Sequence, residues 1–211
     1  MNNRHQVHNL IILDESGSME SIKQPTIEGF NEIVQTIKGI ERKFPEQEHF
    51  ISLVSFNGLE RKTHLWKEPV DKLEQLNVST YRPDASTPLY DAMGYGLSKL
   101  SAELTGEDNY NVLVTIFTDG EENDSKEYSG KLIKKMVEER KAQKWTFTYI
   151  GTDHDVEKFA LSLSITNFVK FKKSEEGIKQ SFLGEERARY RYSEKIRNNL
   201  TTENNFYEET K

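Results

Sequence analysis

Cysteine is absent from the 211 residues. That excludes disulfides, thiolate metal centres and thiol nucleophiles together, and it fits a reducing compartment. Long hydrophobic runs are also missing. None approaches the roughly 18 apolar residues of a membrane span. The opening MNNRHQVHN lacks the apolar stretch of a secretory signal. Basic excess is lacking too: 29 Lys and Arg stand against 35 Asp and Glu, a formal net charge of −6. Such a chain is poorly suited to nucleic acid, whose binding depends on cations that neutralise phosphates. The expectation is a soluble, cytoplasmic protein with neither nucleic acid nor membrane as partner.

What is present is a set of short, dense apolar runs alternating with amphipathic stretches, without repeats. A chain of this length hides roughly 70% of its unfolded surface on folding, so it needs no staples. Leu10–Leu13 (LIIL), Phe50–Phe56 (FISLVSF) and Val112–Phe117 (VLVTIF) read as buried strands. Thr63–Trp66, Trp145–Ile150 and Phe168–Phe171 read as further strands; Thr63–Trp66 follows an Asn57–Gly58 turn signal. Apolar residues at three- and four-residue spacing predict helices over Pro25–Ile40, Pro88–Leu104, Gly130–Gln143 and Val156–Leu163. The order β-α-β-β-α-β-α-β-α-β predicts an α/β fold. It is a Rossmann-like, open, mostly parallel six-stranded sheet with one antiparallel edge strand and helices on both faces. Residues 1–173 form the expected domain. Residues 174–211 form a charged C-terminal helix, docked through Ile178, Phe182 and Leu183, and a frayed tail.

The first strand runs into Asp14-Glu15-Ser16-Gly17-Ser18, which puts oxygen side chains at every second position of a loop. The strand VLVTIF ends in Thr118-Asp119-Gly120, and Ser86-Thr87-Pro88 stands at a helix start. In a doubly wound sheet, strand C-termini gather at the switch point where ligands bind. If the two strands are neighbours, Asp14, Ser16, Ser18, Thr87 and Asp119 converge. Two carboxylates and three hydroxyls form a hard, all-oxygen shell suited to Mg²⁺ or Mn²⁺, less to Ca²⁺, and wrong for copper or structural zinc. An open position on such an ion accepts an incoming carboxylate.

These residues carry a resemblance. LIILDESGSM resembles the metal-ion-dependent adhesion site of von Willebrand factor type A (VWA) domains, whose first element is Asp-x-Ser-x-Ser. STPLYDA is similar to its second element, through Thr87, and FTDG to its third, through Asp119. The resemblance covers about His8–Lys173. It implies a divalent metal whose vacant position takes an Asp or Glu of a partner protein. The chain looks most similar to stand-alone intracellular bacterial members, which implies a scaffold or regulatory subunit and no catalysis. The alternative is a Mg²⁺-dependent phosphohydrolase of haloacid-dehalogenase type. It is disfavoured because Ser16 stands where that chemistry needs a second aspartate as acid and base.

Plainer readings apply to neighbouring residues. Thr87 before Pro88 is a good helix N-cap. Glu15, Glu20, Glu121 and Glu122 read as solvated loop acids. Thr152-Asp153-His154-Asp155 reads as a helix cap, with a second ligand cluster as the other option. Gly29 inside a helix suggests close backbone approach, since glycine there costs roughly 1 kcal/mol against alanine. The charged stretch Lys172–Arg197 reads as a solvated helix face.

Overall fold

The computed structural model describes residues 4–152 and 155–208. Six strands, β1 (His5–Asp14), β2 (Gln47–Phe56), β3 (Arg61–Pro69), β4 (Tyr110–Thr118), β5 (Trp145–Gly151) and β6 (Asn167–Lys170), form one sheet in the order β3-β2-β1-β4-β5-β6. All neighbours are parallel except β2 and β3. The expected mixed α/β sheet with one antiparallel edge strand is thus observed.

The continuous apolar run of β1 is explained by burial on both faces. Leu10 and Ile12 point into a core shared with α2 (Leu89–Glu103), α3 (Gly130–Lys141) and α4 (Val156–Ser162). Ile11 and Leu13 point into the opposite core, shared with α1 (Lys23–Lys43) and α5 (Glu175–Arg197). Each such side chain contributes roughly 1.5–3 kcal/mol when fully withdrawn from water. With both faces apolar, a one-residue slip costs β1 little on pattern alone. Its register is instead held by two parallel partners at once, with Leu13 opposite both Ser55 and Phe117.

α1 extends three residues past the predicted end, and Pro25 lies in its first turn, where its missing N–H costs no helical bond. Gly29 is where Phe182 of α5 packs onto α1. A Cβ there would lie 1.9 Å from Cδ2 of Phe182, so only a hydrogen fits. At the start of α2 the capping expectation fails. Pro88, not Thr87, precedes the first helical residue, and no side chain caps it. Ser129 and Ser174 do cap α3 and α5, accepting from the N–H groups of Leu132 and Gly177.

Two C-terminal expectations also differ from the structure. The tail up to Glu208 is not frayed: Phe206 is buried, its N–H donates to Asn167 Oδ1 at 3.0 Å, and Thr146 Oγ1 donates to the Thr202 carbonyl at 3.1 Å. Nor is the charged helix wholly solvated. Arg189 and Glu185 are buried and paired at 2.9 Å, and Arg189 also donates to Asn9 Oδ1 at 3.0 Å and Thr115 Oγ1 at 2.6 Å. Charge density along the sequence hid this, because polar groups on the sheet supply the partners.

Candidate metal site at the sheet switch point

From β1 the chain crosses to β2 on one side, while β4 lies on the other, so the strand order reverses between β1 and β4. The crevice at the C-terminal ends of those two strands is the usual ligand position of an open α/β sheet. Asp14 is the last residue of β1, and Asp119 follows the last residue of β4.

Asp14 is fully buried. Its Oδ1 accepts from the Ser16 N–H at 2.7 Å and its Oδ2 from Thr118 Oγ1 at 2.5 Å, while Tyr81 Oη donates to its main-chain carbonyl at 2.6 Å. The carboxylate is therefore aimed by both strands. Burial pushes its pKa up to about 6, partly offset by the hydrogen bonds from Thr118 and Ser16, with the Asp119 charge adding to the rise.

From there a chain of oxygens crosses the crevice. Ser16 Oγ lies 3.1 Å from Ser18 Oγ, which donates to Asp119 Oδ1 at 2.6 Å. A Cβ built on Gly120 would lie 3.7 Å from Ser18 Oγ and 3.9 Å from Thr87 Oγ1, which puts both hydroxyls around the same small space. Thr87 is held there by its backbone, whose N–H donates to Asn123 Oδ1 at 2.8 Å. The five residues proposed from sequence thus come together. Asp119 Oδ2 is buried. Its charged neighbour is the Lys173 ammonium, 2.7 Å away.

The donor set fits a hard cation. No group of three or more His, Cys, Asp or Glu side chains is poised for a metal among the described residues. A metal here would depend on two carboxylates with hydroxyls, the low-charge oxygen shell that leaves room for water or an outside ligand. The Lys173 ammonium supplies positive charge to the buried Asp119 oxygen.

Of the four neighbouring acids, one is buried and one is half-buried and tied into hydrogen bonds. Glu15 is buried; it accepts from Ser55 Oγ at 2.6 Å, from Lys62 Nζ at 3.0 Å and from the Arg82 N–H. Glu122 accepts from the Tyr90, Asp124 and Ser125 N–H groups and ties the loop after β4 to the start of α2. Glu20 and Glu121 are exposed. Asp155 caps α4, accepting from the Lys158 N–H at 3.2 Å. Asp153 and His154, the rest of the suggested second cluster, lie outside the described residues.

Sequence reasoning missed Thr118, Tyr81 and Lys173 at this site. Thr118 had a signal, since it directly precedes Asp119. Tyr81 and Lys173 had none, because they reach the crevice from distant loops.

The sequence model of the von Willebrand factor type A domain matches residues 10–182. The chain belongs to the VWA family. Among solved structures, this VWA domain is similar to proximal thread matrix protein 1 from the mussel byssus. In one crystal form the TM-score is 0.58 at 13% identity, covering 85% of this chain and 45% of that one. A second crystal form gives 0.54 at 12% identity, covering 88% and 46%. The chain therefore spans just under half the length of that matrix protein. It is also similar to the SpRpn10 VWA domain, with TM-score 0.52 at 10% identity, covering 84% of this chain and 94% of that one. At these identities the likeness is one of fold. No match to a curated protein sequence was found. VWA domains are in general non-catalytic protein-interaction modules. Among the described residues no helix is long and apolar enough to cross a membrane.

Proposed function

We propose that this VWA domain is a metal-dependent protein-binding module, a cytoplasmic scaffold or regulatory subunit of the bacterial type. Asp14, Ser16, Ser18, Thr87 and Asp119 would hold Mg²⁺ or Mn²⁺, and a partner's Asp or Glu would complete the shell. The observation that carries this reading is the convergence of both aspartates and three hydroxyls at the β1–β4 switch point.

When bound, the ion supplies a Lewis-acidic position that takes a carboxylate. The chain's own residues do the rest. Thr118 and the Ser16 N–H orient Asp14. Ser18 orients Asp119. Burial of both carboxylates keeps bulk water from screening their charge. The phosphohydrolase alternative finds little support: Ser16, at the position of the needed acid, has its hydroxyl beside Ser18 and cannot act as a general acid at neutral pH.

Thermal unfolding of EDTA-stripped protein with and without Mg²⁺ and Mn²⁺ tests the reading. A ligand at 100 times its Kd stabilises by about 2.7 kcal/mol, on the order of 5–10 °C for a domain this size. The shift should vanish in Asp14→Ala and Asp119→Ala. No shift in the parent over a wide metal range would remove the metal from the mechanism.

A further inference from the structure

The Lys173 ammonium stands 2.7 Å from Asp119 Oδ2, while Ser18 Oγ donates to the other carboxylate oxygen. Asp119 is wholly buried at its side chain, and Lys173 is 24% exposed. Its stem enters from the short link between β6 and α5, across the sheet end from β1. That link is firmly placed. Phe171 stacks on Phe117 with ring centroids 5.2 Å apart, and its N–H donates to the Gly151 carbonyl at 3.0 Å. On the other side, Ser174 caps α5. The backbone around Lys173 is thus fixed by packing, while the lysine stem keeps its rotatable bonds.

We propose that Lys173 is a tethered cation that competes with the divalent metal for Asp119. This rests on the reading that the aspartate pair holds a metal. A buried carboxylate left without positive charge is costly, and the ammonium supplies that charge. A divalent ion bound to Asp119 and an ammonium at hydrogen-bond distance from the same carboxylate repel each other strongly at short range. Metal entry therefore requires Lys173 to swing toward solvent, a side-chain rotation that leaves Phe171 and Ser174 in place. The consequence is a raised threshold: the site fills only when the metal, or metal with a partner's carboxylate, outcompetes an internal rival.

Isothermal titration with Mn²⁺ and Mg²⁺ on the parent, Lys173→Met and Asp119→Ala tests this. Lys173→Met keeps the apolar stem and removes the charge. Its metal affinity should rise roughly tenfold or more, and Lys173→Arg should stay close to the parent. Equal or weaker binding by Lys173→Met, with the parent binding and Asp119→Ala not, overturns the competition while sparing the metal site. Absence of binding in parent and Lys173→Met alike overturns both. Binding by Lys173→Met alone supports both. A second readout needs no variant. In lysine side-chain NMR of the parent, Mg²⁺ should move one lysine signal toward the position of free lysines; unchanged lysine signals at saturating metal would count against the proposal.

Discussion

Thr118 Oγ1 donates to Asp14 Oδ2 at 2.5 Å across the β1–β4 seam, and the same hydroxyl accepts from the Gly120 N–H at 3.2 Å. One threonine therefore orients the carboxylate at the end of β1 and shapes the turn that carries Asp119. Thr118→Val keeps the shape and deletes the hydroxyl. It should destabilise by about 1–3 kcal/mol, because a buried acceptor loses its donor. Urea denaturation of the metal-free protein reads this, and a variant as stable as the parent would show that the hydroxyl is dispensable.

The raised pKa of Asp14, about 6 against an ordinary 3.8, sets a sign. The fold favours the protonated acid. Its stabilising contribution is full below the unfolded value near 4 and is lost as pH rises through about 6. Metal-free Asp14→Asn should therefore be more stable than the parent at pH 7, on the order of 1–3 kcal/mol, with little advantage at pH 4. Metal affinity of the parent should weaken as pH falls below about 6, since protons compete for the same oxygen. Denaturation midpoints and metal titrations across pH 4–8 measure both trends. A parent whose stability rises through this window relative to the variant would reverse the argument.

Gly29 of α1 packs directly against the ring of Phe182 on α5. Gly29→Ala gains helix propensity, worth up to roughly 1 kcal/mol, but forces a methyl into an aromatic ring. A net loss of about 1–3 kcal/mol is expected from overpacking. Adding Phe182→Leu should restore part of it, and thermal unfolding of the single and double variants shows whether it does.

Arg189 and Glu185 form a buried ion pair beneath α5, and Tyr207 Oη donates to the second Glu185 oxygen at 2.8 Å. Removing one partner leaves a buried charge unpaired. Arg189→Met alone should cost about 3–5 kcal/mol, and adding Glu185→Leu should recover much of that. A double variant no better than the single would mean that the loss comes from packing and the wider network.

Much of the fold was legible in the sequence because its signals are local. LIIL and VLVTIF announce strands buried on both faces, and the three- and four-residue spacing through Ile27, Phe30, Ile33, Val34 and Ile37 announces α1. The site was legible because Asp14, Ser16 and Ser18 share one loop, and Thr87 and Asp119 each sit at an element's end. Capping by Thr87 was misjudged because Pro88 precedes the helix instead of opening it. Glu15 read as solvated because nothing nearby in the sequence announces Ser55, Lys62 and the Arg82 N–H as its partners.

By itself, then, the sequence determined the elements, their order and the oxygen-rich residues at strand ends, because periodicity and turn chemistry act over a few residues. Tertiary structure alone decided that β1 and β4 are adjacent, that Lys173 meets Asp119, and that Arg189 and Glu185 lie buried together. Those pairings join residues remote along the chain. Their energies exist only once the sheet has brought the groups within a few ångströms and removed the water that would otherwise screen them.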